Sequence, residues 1–279
     1  MTSPASRGIG LALARRLLQT TDLPVVATAR ADISATRDHI LNGLKIDGDR
    51  LSVLEVNVTG APSLPYHLTV LNSDGSTNGH VDEKSISAAA AYCKDRFPST
   101  HLHLAFLVPG ILYPERSPAQ VSAPHALETF QINALGPLLL AKHFSPFLPA
   151  RSTPLPLEGQ NNTLPSSAVM ALMSARVGSI SDNQLGGWYS YRASKAAVNS
   201  IAKSMDIYLQ QKAATKAMCI SMHPGTVKTG LSKEFWGNVK QEKLFSPEFA
   251  AERLMTVVKN LGTDGRGKCW DWDGKEIPP

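Results

Sequence analysis

The sequence predicts an α/β fold, a doubly wound parallel sheet with helices on both faces, and three observations carry that expectation. Short apolar runs alternate with amphipathic stretches along all 279 residues, a 43% hydrophobic content can fill a sizeable core, and no internal repeat is present. Taken in order, residues 9–18 form the first helix, since Leu11-Ala-Leu-Ala-Arg-Arg-Leu-Leu18 is amphipathic and follows two glycines. Residues 25–28 are a short apolar strand ending at Arg30, and 51–56 are the next strand. Helix 83–96, strand 102–108, helix 124–144 and strand 168–173 continue the alternation. Helix 189–211, strand 218–222, helix 247–261 and strand 267–270 complete it. Residues 230–242 read as a lid, with Leu231, Phe235 and Trp236 available either to an apolar substrate or to surface packing.

Two stretches interrupt this pattern. Residues 60–80 are rich in Gly, Ser, Asn and Pro, and loops of that length are uncommon in compact domains. They read as a surface insertion or an unspliced intron, and 145–166 as a Pro-rich surface loop. The whole chain, 1–279, is expected to be one domain carrying these insertions.

Composition excludes several classes. The net charge of +5 and pI near 9.1 rest on scattered bases with no run of five or six, which argues against nucleic acid. There is no signal-peptide pattern and no apolar run near the ~20 residues that span a bilayer, so a cytoplasmic protein without a membrane partner is expected. Cys93, Cys219 and Cys269 lie far apart without metal-like spacing and read as buried free thiols. His101 and His103 alternate at a strand entry, but no third ligand accompanies them, and no metal is expected.

Chemistry concentrates at Tyr191-Arg-Ala-Ser-Lys195, where a phenol and an ammonium four residues apart share one helix face. A nearby fixed positive charge favours the phenolate and lowers a tyrosine pKa from about 10, which fits the phenol for proton transfer. At the other end, Ser6-Arg7-Gly8-Ile9-Gly10 precedes a helix, where backbone N–H groups and the helix dipole can take a pyrophosphate. Arg30, at the end of the second strand, suits a 2′-phosphate where an acidic residue would suit a free 2′-hydroxyl. With Arg7 it predicts NADP(H) over NAD(H).

Two more motifs join these: Asn133 in Phe130-Gln-Ile-Asn-Ala-Leu-Gly-Pro137, and His223-Pro224-Gly225-Thr226-Val227-Lys228-Thr229. Together the four resemble the short-chain dehydrogenase/reductase family along nearly the whole chain. Ser174-Ala-Arg-Val-Gly-Ser-Ile-Ser-Asp-Asn183 and Gly186-Gly-Trp-Tyr-Ser-Tyr191 are most similar to its carbonyl-reductase and C-factor-like branch. The resemblance implies a Rossmann-type sheet and an oxidoreductase moving hydride between NADP(H) and a small carbonyl or alcohol. It implies Tyr191 as proton donor or acceptor, Lys195 on the cofactor ribose, Asn133 anchoring a proton relay, and Val227 and Thr229 at the carboxamide beside Pro224 and Gly225. A homodimer or homotetramer through the helices of Asn133 and Tyr191 is also implied, although monomeric relatives leave the state open.

Against that pattern the chain departs in several places. The first strand is expected to be missing, because Met1-Thr-Ser-Pro4 begins inside the glycine turn, with Pro4 in place of its first glycine; truncation of the gene model is the favoured account. Val108-Pro109-Gly110 replaces the usual Asn-Ala-Gly, with Gly110 still permitting close approach to the cofactor, and Asn57 replaces an aspartate at the adenine. Ala175 occupies the usual catalytic serine position. Ser174 is the neighbouring candidate for that hydroxyl, with Ser179 and Ser181 further out. Two competing readings follow: a catalytically impaired NADP(H)-binding or signalling protein, and an inactive truncated product.

Overall fold

The computed structural model describes residues 1–59, 82–155 and 164–279. The 60–80 insertion and the middle of the 145–166 insertion lie outside the described residues. The strands are β1 (Thr2–Ser3), β2 (Val25–Ala29), β3 (Leu51–Glu55), β4 (Leu104–Leu107), β5 (Ala168–Met173), β6 (Ala217–His223), β7 (Thr226–Val227), β8 (Leu244–Phe245), β9 (Cys269–Asp271) and β10 (Glu276–Ile277). Eight of them form one sheet in the order β10-β9-β6-β5-β4-β1-β2-β3, parallel throughout except for the β9–β10 hairpin.

Helices α1 (Gly8–Thr20), α2 (Ile33–Leu41) and α7 (Pro247–Asn260) cover one face, and α3 (Glu83–Arg96), α5 (Gly136–Phe144) and α6 (Tyr189–Ala213) the other. The period of two along β5 divides its residues between the layers. Val169, Ala171 and Met173 join the cluster of Leu13, Leu17, Ile40 and Leu254, while Ala168, Met170 and Leu172 join that of Ile86, Leu140, Phe144 and Val198. Burial on both faces is why these strands read as continuous apolar runs.

The expectation of a missing first strand is corrected. Thr2 pairs with both Ala27 and Phe106, and Ser3 pairs with Leu107, so a two-residue strand fills the central position. The Met1 amino group donates to the Leu104 carbonyl at 2.7 Å, and Thr28 Oγ1 donates to Ser3 Oγ at 2.7 Å, which satisfies groups that an empty slot would strand. Below Met1 the slot continues as an apolar cavity of about 170 Å³ lined by Leu17, Val25, Leu104, Phe144 and Phe147.

Three further differences have local causes. Sequence reading passed over α2, which buries only Thr36 and Ile40 and so carries little periodic signal. The expected 124–144 helix is α4 (Ala123–Phe130), a π-helical turn (Gln131–Leu135) and α5, a bulge of the kind found at functional sites. The last strand, expected at 267–270, is displaced to β9 and turns back as β10. Among the described residues no helix is long and apolar enough to cross a membrane.

Candidate active site

Tyr191 is the third residue of α6 and Lys195 lies one turn further, so both side chains project from the head of the longest helix. Tyr191 is 7% exposed and Lys195 2%. The Lys195 ammonium sits 5.7 Å from the Tyr191 ring centre and donates to the Met173 carbonyl, at the end of β5, at 2.8 Å. Gly178 presses onto the same turn: a methyl placed there would lie 2.7 Å from the Lys195 carbonyl carbon. That glycine fixes how closely α6 approaches the end of β5.

Asn133 is fully buried within the π-helical turn and has three partners. Its Oδ1 accepts from Ile111 N at 2.8 Å, and its Nδ2 donates to Ile111 O at 2.9 Å and to Ser194 Oγ at 3.0 Å. Ser194 Oγ in turn donates to the Tyr191 carbonyl at 2.7 Å, so Asn133 ties the segment leaving β4 to the helix that carries Tyr191. Sequence reading did not single out Ser194, a small polar residue between the two motif positions. At Gly110 a Cβ would lie 3.5 Å from Lys195 Nζ, 3.8 Å from Asn133 Oδ1 and 3.7 Å from Leu231 Cδ1. Four separately predicted pieces therefore meet at one point.

The glycine loop and the Pro-Gly loop also meet. Gly8 adopts a left-handed φ of 57°, and a methyl there would lie 3.2 Å from Thr229 Cγ2. At the start of α1, Arg7 is extended, no side chain caps the helix and its first turn holds no acid. Ser6, Ile9 and Gly10 complete this turn, which leaves donors and a positive helix end of the kind that receives phosphate. Arg7 and Arg30 are both exposed beside it, and Arg30 has a long 3.4 Å contact with Thr59 Oγ1. Gly225 (φ 76°) turns the chain after β6, placing Pro224 and Val227 on the loop, and Ser232 Oγ bonds the Val227 carbonyl while accepting from Trp236 Nε1 at 2.9 Å. Phe235 packs on Trp188 with ring centres 4.9 Å apart.

Some expectations require correction. Burial pushes the Tyr191 phenol up, and no lowering by the lysine accompanies it; burial also brings Lys195 down to about 8. Proximity to an ammonium was legible in the sequence, but removal of both groups from water dominates over it. Ser174 Oγ donates to the Lys195 carbonyl at 3.1 Å, so in this orientation its proton is not free to polarise a substrate. Ser179 and Ser181 both turn their hydroxyls to the Pro279 carbonyl. The Asn57 side-chain oxygen accepts from Thr59 N at 2.9 Å and Thr59 Oγ1 at 2.7 Å, so it is turned into its own loop. His223 is half-buried, its Nδ1 is covered and has no partner among the described residues, and desolvation, with Arg176 nearby, holds it down to about 4, so it stays neutral.

No family model matches the chain. It is 29% identical over 194 residues to 1-hydroxy-2-glutathionyl-2-methyl-3-butene dehydrogenase of Rhodococcus sp., covering 70% of this chain and 75% of that protein. A short-chain dehydrogenase of Neurospora crassa is 25% identical over 252 residues, covering 86% of this chain and 87% of the relative. Among solved structures, an NADPH-bound carbonyl reductase from chicken fatty liver superimposes with a TM-score of 0.75 at 25% identity, over 99% of this chain and 91% of that one. With the Tyr191–Lys195 pair, Asn133 and the glycine turn placed as described, the chain is similar in sequence and fold to short-chain dehydrogenases and carbonyl reductases.

Proposed function

We propose that the protein is an NADP(H)-dependent reductase that converts a small carbonyl compound to the alcohol, with Tyr191 as the proton donor. The observation that carries this reading is the convergence of Tyr191, Lys195, Asn133 and Gly110 at the mouth of β4 and β5. When bound, NADPH supplies the hydride that reaches the carbonyl carbon. Tyr191 Oη gives its proton to the oxygen as negative charge develops there. Lys195, at the same point, would take the ribose hydroxyls and return a proton to Tyr191. Asn133 holds the head of α6 against residues 110–111 so that these groups stay in register.

The residues present fit the cofactor in two places. The uncapped start of α1, with Ser6, Arg7, Gly8, Ile9 and Gly10, suits a pyrophosphate, and exposed Arg30 suits a 2′-phosphate. Pro224, Gly225, Val227 and Thr229 form the loop that faces this turn, placed for the carboxamide end. Asn57 contributes at the adenine only if it releases Thr59. Exposed Leu127, Leu135 and Leu138 on the α4–α5 side, with Ile207 on α6, support self-association as a homodimer or homotetramer. Three buried free cysteines fit a cytoplasmic protein.

A panel of aldehydes, ketones and quinones with NADPH tests the reading. Turnover that falls at least ~10²-fold in Tyr191→Phe supports it, on the scale of losing one donor to a developing oxyanion. Absence of turnover with all of them, alongside tight NADPH binding, would favour a catalytically impaired NADP(H)-binding protein. Ala175 and the engaged Ser174 hydroxyl are the observations behind that second reading.

A further inference from the structure

Helix α6 begins from an unusual turn. Gly186, Gly187 and Trp188 all lie in the left-handed region, with φ of 62°, 66° and 49°. For tryptophan this conformation costs about 1–2 kcal/mol, and its side chain does not cap the helix it precedes. Something else must hold the turn and satisfy the first N–H groups of α6.

Glu115 does so from a segment 75 residues earlier in the chain. It is 2% exposed, and no ion pair neutralises it among the described residues. Its carboxylate accepts from Ser190 N at 2.7 Å and from Ser190 Oγ at 2.6 Å, while its main-chain oxygen accepts from Trp188 N at 2.6 Å. A buried carboxylate is costly unless its oxygens are satisfied, and here they are satisfied at the positive end of α6. From the other side Arg192 donates to the carbonyls of Gly186 and Gly187 at 3.1 and 3.0 Å and to that of Val177 at 3.3 Å, so an anion grips the Ser190 N–H and hydroxyl while a cation grips two carbonyls of the turn before it. The clasp ends one residue before Tyr191, and the Trp188 ring meets the Tyr191 ring edge-on, with centres 6.1 Å apart at 83°.

We propose that Glu115 is a positioning residue for Tyr191: it sets the first turn of α6, and through Trp188 it sets the orientation of the phenol. The inference rests on the reductase reading for its kinetic arm only. Glu115 touches no reacting atom; it acts through the Ser190 and Trp188 backbone. Glutamine can take the same place, its oxygen accepting from Ser190 N and its amide donating to Ser190 Oγ. Alanine leaves both Ser190 groups without a partner.

The test compares Glu115→Ala, Glu115→Gln and the milder Ser190→Ala with the wild-type chain. Amide hydrogen exchange is followed across 188–195, alongside NADPH titration and turnover of any carbonyl the panel yields. The expected result is faster exchange confined to 188–195 in Glu115→Ala, with kcat down ~10- to 100-fold, as for a displacement of about 1 Å. NADPH affinity should stay within about twofold of wild type, Glu115→Gln should restore kcat to within about threefold, and Ser190→Ala should fall between. Wild-type exchange in Glu115→Ala overturns the proposal. So does an increase spread over the whole chain, or a glutamine variant as impaired as alanine. If Glu115→Ala does not fold, the same local exchange in Ser190→Ala decides the question. Should the wild-type chain turn over no carbonyl, the reductase reading fails, and the exchange at 188–195 still decides the role of Glu115.

Discussion

Replacing Lys195 by methionine should make the protein more stable and inactive. The ammonium is buried against the end of β5, where it donates to the Met173 carbonyl at 2.8 Å, and burial brings its pKa from 10.5 to about 8. The sign follows from linkage. Between about pH 8 and 10.5 the unfolded chain keeps the lysine proton while the folded protein has lost it, so stability rises with pH across that window. Below about pH 8 both states are protonated and the folded protein carries the whole penalty, about 3 kcal/mol at about 1.4 kcal/mol per pH unit. Methionine matches the length of the lysine stem and removes the charge, at the loss of one charge-assisted hydrogen bond of about 2 kcal/mol. The net gain near pH 7 is about 1 kcal/mol, or about 2–4 °C in Tm. Urea unfolding of both proteins near pH 7 and again near pH 10 measures it. The advantage of Lys195→Met should shrink at the higher pH, as the wild type sheds its penalty, and turnover should be absent at both. A variant less stable than wild type near pH 7, or a gap that does not change with pH, would refute the electrostatic account.

Other outcomes follow from the same structure. Arg30→Ala should weaken NADPH binding at least tenfold and leave NADH within about threefold, read by cofactor fluorescence, because on the proposed reading the guanidinium that follows β2 takes the 2′-phosphate, which NADH lacks. Gly178→Ala puts a methyl 2.7 to 2.9 Å from the Lys195 backbone, so it should cost about 1–3 kcal/mol in denaturant and lower kcat by displacing α6 from β5. Arg266→Met strips the partner from Asp206, whose carboxylate is 3% exposed and also accepts from Cys219 N at 3.0 Å. A loss of about 3–5 kcal/mol is expected by thermal unfolding, with NADPH affinity of the folded fraction unchanged.

How much of this was legible depended on whether the signal was local. Alternating apolar runs gave the parallel sheet because β4, β5 and β6 are buried on both faces, and that burial writes itself into consecutive residues. The first strand escaped because two residues, Thr2 and Ser3, are too few to form a pattern; only their pairing with Ala27, Phe106 and Leu107 identifies them. The π-helical turn at 131–135 is a shift of backbone hydrogen bonding by one residue, and no side-chain period records it. Glu115 lay in a loop segment with no motif around it, and its partners come 75 residues later.

At the site, spacing revealed which groups meet but not what their meeting does. Tyr191 and Lys195 four apart on a helix must be neighbours, and Gly110 and Asn133 do converge on them. Spacing alone favoured a phenol with a lowered pKa, which assumes that the ammonium reaches it through a medium that leaves both groups hydrated. The structure withdraws both from water, so burial moves the phenol up and the amine down, and each shift opposes ionisation of its own group. A raised pKa keeps the phenol protonated but also makes it a weaker acid, so burial sets no direction for the chemistry, and a charge or hydrogen bond at the phenol oxygen has to bring it back toward neutrality. Restoring an ionisable pair of the expected kind would require water or a further polar group near Tyr191 Oη. Ser174 does not provide it, with its proton directed to the Lys195 carbonyl.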